Sequence, residues 1–212
     1  MIGASAKRAL DSPGTGKTST IVEIVVQLVR RDASVRILTC TPGDAAADLL
    51  VERLAAAGLD SDKLYHLNAS PTYEEDMAEH EPALSRIPGH ERFLAFRVVL
   101  STCSKAATLQ NLNIPVGYFS HIVIDDAARA EEPLVMIPIM AFSNTHTNII
   151  LAGDPSQLSP AVKSPTAARS GLGKSYFERL MLIRSLYGLD TQVGKTWVML
   201  FLFRLWLRPH GT

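Results

Sequence analysis

Short apolar runs alternate along the chain with longer stretches in which apolar residues recur every three or four positions. Several of the short runs are apolar without alternation, which is typical of strands buried on both faces of a parallel sheet. The runs predict five strands: Arg36–Cys40, Leu64–Asn68, Val98–Thr102, His121–Asp125 and Asn148–Ala152.

The longer stretches predict helices between these strands. In the first stretch, Ile21, Val25 and Leu28 fall at helical spacing. Strands that alternate with helices form βαβ units, so the sequence predicts an α/β fold with a mostly parallel sheet flanked by helices. The predicted helices are Thr18–Arg31, Asp44–Ala57, Glu132–Phe142 and Lys174–Ser185.

The composition narrows the class of protein. A length of 212 residues suits one α/β domain, and 47% hydrophobic with 20% charged residues is globular rather than disordered composition. Lys plus Arg number 21, as do Asp plus Glu, so the formal net charge is zero. This excludes a protein that coats nucleic acid by overall charge, and any such contact needs a local patch or a matching shape.

The number of cysteines and the length of the apolar runs bear on the cellular compartment of the protein. Cys40 and Cys103 are too few for a disulfide framework, and we interpret them as small buried hydrophobic residues of a reduced compartment. Met1–Leu10 is too short and polar for a secretory signal. Trp197–Leu207 is shorter than the roughly 20 residues of a membrane span, and is either a core segment or a stray tail. We expect no membrane partner and a cytoplasmic location.

The segment Asp11–Thr18 resembles a phosphate-binding loop. The pattern G-x-x-x-x-G-K-[ST] is met at its last three fixed positions, and Asp11 stands at the first. Lys17 is expected to reach the β- and γ-phosphates of ATP, and the Thr18 hydroxyl to ligate Mg²⁺. A Gly/Pro turn that caps a helix is the alternative. The predicted nucleotide-binding residues are Ser12, Pro13, Gly14, Thr15, Gly16, Lys17, Thr18 and Ser19.

The residues before this loop fit the pattern poorly. Asp11 places a carboxylate beside the expected triphosphate, where glycine normally opens the loop. A phosphate loop should also follow a buried strand, and Met1–Leu10 is a poor strand. We therefore expect the first strand of the sheet to be missing or degenerate.

Two further polar groups follow predicted strands. Asp125 and Asp126 end an apolar strand, where a phosphate-loop enzyme places one acid for the metal and one for the attacking water. We assign Asp125 to Mg²⁺ and Asp126 to the water; a helix N-cap is the alternative. Gln157 follows the next strand and is expected to bond the γ-phosphate or that water. The carboxyl ends of parallel strands form the ligand crevice of such sheets.

Together these segments resemble the first RecA-like motor domain of superfamily 1 RNA helicases, most closely the Armitage-type RNA-silencing branch. The resemblance implies a RecA-like domain over residues 1–190 and an aberrant or unstructured tail over residues 191–212. The segments similar to helicase motifs I, Ia, Ib, II and III are Pro13–Thr18, Thr41–Asp48, Leu100–Ala106, Asp125–Pro133 and Gly153–Pro160.

The resemblance also implies an activity: ATP-driven, Mg²⁺-dependent translocation on single-stranded RNA, with RNA granules as an expected location. It implies that Lys17, Asp126 and Gln157 are the catalytic residues. Ordinary strand-to-helix turns are the alternative for the two loops implied to touch the RNA backbone. The residues implied to contact RNA are Thr41, Pro42, Gly43, Ser101 and Thr102.

Departures from the motifs predict a weakened enzyme. Asp126 stands where the family has Glu, Arg129 replaces a Gln, and Asp44 replaces an amide. No segment of the sequence resembles the second motor domain of the family. We therefore expect ATP turnover to need a second motor domain or partner proteins. We predict weak ATP binding and little turnover by this chain alone. A non-catalytic nucleotide- or RNA-binding module and an unstable truncated product are the alternatives, and a phosphate-loop kinase is disfavoured.

Overall fold

A computed structural model of the protein describes residues 16–67, 88–154 and 159–182, and the backbone of residues 199–204. Its centre is a six-stranded sheet in the order β2-β3-β1-β4-β5-β6. Strands β1 to β5 pair in parallel, and β6 pairs antiparallel with β5. The strands are β1 Ile37–Thr41, β2 Leu64–His66, β3 Val98–Thr102, β4 His121–Ile124, β5 Asn148–Gly153 and β6 Met199–Arg204.

Six α-helices and three helical segments of other types accompany these strands in the described part of the chain. The α-helices are α1 Gly16–Arg31, α2 Asp44–Ala56, α3 His90–Ala95, α4 Glu132–Phe142, α5 Pro165–Ala167 and α6 Tyr176–Leu182. The other segments are the 3₁₀ helices Lys105–Leu112 and Ala127–Arg129 and the π-helical turn Ala168–Leu172.

The sheet is covered on both faces, which explains why its strands are apolar without alternation. Helices α1 and α2 pack on one face, and α3, α4, α6 and the 3₁₀ segments pack on the other. The first layer joins Val98, Leu100, Val123 and Ile150 of the strands to Ile21, Val25, Leu50 and Leu54 of the helices. The second joins Leu38, Val99, Ile122 and Leu151 to Phe93, Val135, Ile139 and Phe177.

The predicted fold class is confirmed: the sheet is mostly parallel and flanked by helices. β3 and α4 have the predicted bounds, and the other predicted strands and helices differ by one or two residues at the ends that the structure describes; Asn68 and residues 183–185 lie outside the described residues. The prediction of a missing or degenerate first strand falls on residues 1–15, which lie outside the described residues.

The chain forms a strand within residues 191–212, where the resemblance implied an aberrant or unstructured tail and the apolar run left a core segment as the alternative. Met199–Arg204 pairs with β5 along its whole length, from Asn148↔Arg204 to Gly153↔Met199. The open edge of β5 offers a row of backbone donors and acceptors, and an apolar segment with β-forming residues satisfies them. Part of the Trp197–Leu207 run therefore belongs to the sheet. In the described residues, no helix is long and apolar enough to cross a membrane.

Candidate functional site

The candidate site lies where strands β4 and β5 end and helix α1 begins. β4 leads directly into Asp125 and Asp126, and β5 leads into Asp154. Because β4 and β5 are parallel neighbours, these carboxylates meet at one edge of the sheet. The first turn of α1 brings Lys17 and Thr18 to the same edge.

Lys17 forms an ion pair with the residue that follows β5. Its Nζ lies 3.6 Å from Oδ2 of Asp154, and the two side chains are only 11% and 10% exposed. An ammonium ion with so little access to water needs an anionic partner, because removing either charge from water is costly. In this structure the partner is a carboxylate of the protein, and a phosphate oxygen could take the same place.

Thr18 bonds the buried carboxylate at the end of β4. Asp125 is 5% exposed, and its side chain shares a hydrogen bond with that of Thr18. Burial raises the pKa of the Asp125 carboxyl above its ordinary value, and the hydrogen bond from Thr18 partly opposes this. The nearby charge of Asp126 raises the same pKa further, while Lys17 lowers it. Asp125 therefore holds its charge at a cost that a bound cation would relieve.

Asp126 adopts a conformation that few non-glycine residues take. Its φ is 56° and its ψ is 30°, in the left-handed region, and it precedes the 3₁₀ turn Ala127–Arg129. Its backbone N–H donates to Oδ1 of Asp125 at 3.0 Å, and its Oδ2 lies 3.5 Å from Nη1 of Arg129. The carboxylate expected to orient water thus faces the arginine that replaces the glutamine of the helicase motif.

The turn Ala127–Arg129 packs closely against the end of β5 and against α6. Gly153 lies so close to the turn that a Cβ there would stand 2.9 Å from the backbone nitrogen of Ala128. Phe177 of α6 is buried on the same spot, and an isolated bridge joins Glu131 to Ser175. Close backbone packing of this kind fixes the spacing between Asp125 and Asp154.

The residues implied to contact RNA lie at the neighbouring part of the edge, but most face inward. Thr41, Ser101 and Thr102 are buried. Thr41 Oγ1 donates to the carbonyl oxygen of Gly43 at 2.9 Å, and Ser101 Oγ donates to that of Thr102 at 2.8 Å. Pro42 is half-buried and Gly43 is exposed. The hydroxyl groups therefore shape these two loops and are not presented to solvent.

Four charged or titratable side chains stand around these loops, at the ends of β1, β2 and β3. Lys105 forms an ion pair with Asp44, which joins the loop after β3 to the first turn of α2. One turn further along α2, Oδ1 of Asp48 lies 3.7 Å from Nε2 of His66. We call Asp44, Asp48, His66 and Lys105 the edge cluster. Its two acids and one lysine give this edge no excess of positive charge.

Burial of His66 predicts a dependence of stability on pH. Burial lowers the pKa of His66 below 6.5, Asp48 and Asp44 oppose the shift, and Lys105 adds to it. The unfolded chain takes up this proton first as the pH falls through about 6.5, so the free energy of unfolding decreases there. We expect the stability advantage of the wild type over His66→Gln to be about 0.5 kcal/mol smaller at pH 5 than at pH 8. Urea unfolding at both pH values measures it, and an advantage that grows on acidification would contradict it.

The structure thus brings together some, but not all, of the sequence-predicted residues. Lys17, Thr18, Asp125 and Asp126 converge, while Gly16 and Ser19 lie beside them in the first turn of α1. Ser12, Pro13, Gly14, Thr15 and Gln157 lie outside the described residues. Sequence reasoning gave no role to Asp154 or Lys105. Asp154 could have been predicted. It directly follows the buried strand β5, just as Asp125 directly follows the neighbouring strand β4, and the two residues therefore lie at the same edge of the sheet.

The oxygen donors at this edge fit Mg²⁺. In the part of the chain that the structure describes, no group of three or more His, Cys, Asp or Glu side chains could hold a metal ion alone. Mg²⁺ is instead commonly bound by one or two carboxylates together with substrate phosphates and water. The Thr18 hydroxyl and the Asp125 carboxylate, which touch each other, form a donor set of this kind.

Comparisons with known proteins identify the family of the chain. The family model described as "AAA domain" matches residues 5–95 and 90–165. The chain is 39% identical to helicase mov-10-B.1 of Danio rerio, over 82% of this chain and 18% of the relative. It is 39% identical to RNA helicase Mov10l1 of Mus musculus, over 80% and 14%. It is 33% identical to the RNA helicase armi of Drosophila melanogaster, over 85% and 17%. The chain thus spans less than a fifth of the length of these relatives.

Proposed function

The chain belongs to the AAA domain family, in the branch of Mov10- and Armitage-type RNA helicases, and from this premise we propose that it is the ATP-binding motor domain of an RNA helicase. One observation carries the proposal. The ion pair of Lys17 with Asp154 and the hydrogen bond of Thr18 with Asp125 assemble a phosphate-and-metal site at the carboxyl edge of a parallel sheet.

Each residue has a role in this proposal. Lys17 exchanges Asp154 for the β- and γ-phosphate oxygens of ATP, and the sequence pattern of residues 12–19 predicts a phosphate-binding loop around them. Thr18 and Asp125 hold Mg²⁺, which when bound supplies positive charge beside the phosphate oxygens. Asp126 accepts a hydrogen bond from the attacking water, and Gln157 bonds that water or the γ-phosphate.

The geometry supports weak turnover. Asp126 is one methylene shorter than the glutamate of the motif, and positioning errors near 1 Å can cost about 100-fold in rate. Its Oδ2 also lies 3.5 Å from the Arg129 guanidinium, so an ion pair within the protein competes with water for the carboxylate. We propose that the domain alone binds ATP with Mg²⁺ and hydrolyses it slowly. A second motor domain or partner proteins would raise the rate, and single-stranded RNA would run along the ends of β1 and β3.

The first test is nucleotide binding. We expect a fluorescent ATP analogue to bind the chain saturably with Mg²⁺, and Lys17→Ala to weaken it by about tenfold, since a lost charge-assisted hydrogen bond costs about 1.5 kcal/mol. Fluorescence titration measures both, and Lys163→Ala, an exposed lysine, is the matched control. Equal binding by Lys17→Ala, or none by a cooperatively folded wild type, would contradict the proposal.

A second candidate is a non-catalytic module that binds nucleotide or RNA on the same scaffold. The pairing of Asp126 with Arg129 favours it, because it occupies the carboxylate that hydrolysis needs. The Asp126→Glu/Arg129→Gln variant, mixed with the second motor domain of a relative, separates the two candidates. Phosphate release well above that of the wild-type mixture favours a weakened motor, whereas binding without release favours the module. A cooperative thermal transition of the chain would exclude the alternative of an unstable truncated product.

The cytoplasmic location expected from the sequence stays a prediction.

A further inference from the structure

The edge cluster contains an ion pair that spans the two loops implied to touch RNA. Lys105 starts the 3₁₀ helix after β3, and Asp44 starts α2 after β1. The Lys105 side chain is 18% exposed and that of Asp44 is 51% exposed. The ammonium group is thus held at the surface of the edge, between the loops, by a carboxylate that itself faces water.

Few other groups at this edge can bind an anion. The hydroxyls of Thr41 and Ser101 donate to carbonyl oxygens within their own loops. The Thr102 hydroxyl lies 3.2 Å from that of Ser104 and accepts from the backbone N–H of Lys105 at 3.3 Å. Of the edge cluster, Lys105 alone is a cation at neutral pH, since burial lowers the pKa of His66. Lys105 is therefore the side chain of the edge cluster that offers a positive charge to an RNA strand crossing this edge.

We propose that Lys105 is a phosphate contact of the RNA track and that Asp44 occupies its ammonium group until an RNA phosphate displaces the carboxylate. The inference rests on the RNA binding put forward above. It adds a residue and a mechanism of control: RNA binds by exchanging one anion for another on a lysine that is already in place. Displaced from Lys105, the exposed Asp44 carboxylate returns to water at little cost.

This exchange has a measurable sign. Removing the Asp44 charge frees Lys105, so the affinity for RNA rises. Removing the Lys105 charge takes the contact away, so the affinity falls. Ion pairs with an exposed partner contribute little free energy, so we expect each change in affinity to be about threefold. In the wild type the Asp44 carboxylate released from Lys105 offsets the phosphate charge that the lysine neutralises, whereas in Asp44→Asn the contact adds one net ion pair and releases a counterion of the RNA. The dependence of log K on log salt therefore steepens by up to about 0.7 in Asp44→Asn.

The experiment uses the full 212-residue chain and a 5′-fluorescein-labelled oligouridine in fluorescence anisotropy. The variants are Asp44→Asn, Lys105→Gln and both together. Asp60→Asn is the matched control, because Asp60 pairs with Lys63 at the opposite end of β2 and also loses an exposed ion pair. Thermal unfolding of each variant verifies that it is folded.

We expect Asp44→Asn to bind more tightly, Lys105→Gln more weakly, and Asp60→Asn like the wild type. The gain from Asp44→Asn should shrink in the Lys105→Gln background. An unchanged gain there would mean that Asp44 repels phosphate directly, which overturns the role of Lys105. If the wild type binds RNA and Asp44→Asn binds no better, the inference fails while the proposed RNA binding stands. If no folded variant binds RNA at low salt, both fail.

Discussion

The Asp125→Asn variant is expected to lose about 100-fold in Mg²⁺-dependent nucleotide affinity and yet to unfold at a higher temperature. The carboxylate is 5% exposed, and its burial raises its pKa, so the fold holds this charge at a cost. An asparagine removes the charge and keeps an oxygen for the bonds from Thr18 and the Asp126 N–H. We expect a gain of about 1 kcal/mol, or about 2–4 °C in Tm. Loss of a charged ligand costs the Mg²⁺ complex about 3 kcal/mol.

Two measurements on the same variant separate the effects. Thermal unfolding without nucleotide or metal reports the stability, and titration of a fluorescent ATP analogue with and without Mg²⁺ reports the binding. Asp62→Asn, which removes an exposed carboxylate, is the control for the loss of one negative charge. A Tm below that of the wild type would mean that charged Asp125 stabilises the fold, and unchanged Mg²⁺ dependence would remove Asp125 from the proposed metal site.

The Gly153→Ala variant is expected to be destabilised by about 3 kcal/mol and to bind nucleotide poorly. The added methyl group would lie 2.9 Å from the backbone nitrogen and 3.0 Å from the Cβ of Ala128, and 3.4 Å from a ring carbon of Phe177. A backbone atom cannot swing aside as a flexible side chain can, so the turn carrying Asp125 and Asp126 has to move. Both the core and the spacing of the site are affected.

Urea unfolding measures the loss of stability in Gly153→Ala. Gly89→Ala is a suitable control, because a Cβ at position 89 would meet nothing within 4 Å. Gly89 is the N-cap residue that precedes helix α3. The Gly89→Ala change should alter the free energy of unfolding by less than about 1 kcal/mol. Equal losses in both variants would mean that the close approach of Gly153 to Ala128 and Phe177 does not cause the loss at position 153.

The sequence was most informative where burial is uniform. Val98–Thr102 is buried on both faces because helices cover both, and its apolar residues Val98–Leu100 do not alternate with polar ones, a pattern with few alternative interpretations. The ends of elements were harder. Leu64–Asn68 was expected to be a strand; the structure has one over Leu64–His66, where β2 pairs with β3 at the edge of the sheet, Leu67 follows it, and Asn68 lies outside the described residues. Backbone pairing with a partner sets such ends, and a single segment does not contain that information.

The candidate site was only partly predictable, for a different reason. Motif spacing placed Lys17, Thr18 and Asp125 at strand and helix ends, which is where the structure brings them together. The inward orientation of Thr41, Ser101 and Thr102 depends on neighbouring carbonyl oxygens and was not visible in the sequence. The ion pairs of Lys17 with Asp154 and of Lys105 with Asp44 join residues far apart in the chain, so they required the fold.

The position of β6 has a consequence for how the protein is made. During synthesis, β5 leaves the ribosome well before its partner, since about 45 residues separate the two strands and translation adds about 5–20 residues per second. For roughly several seconds the nascent chain presents an open strand edge over residues 148–153, beside the strands that have already emerged. Slower translation of residues 154–198 would lengthen this interval.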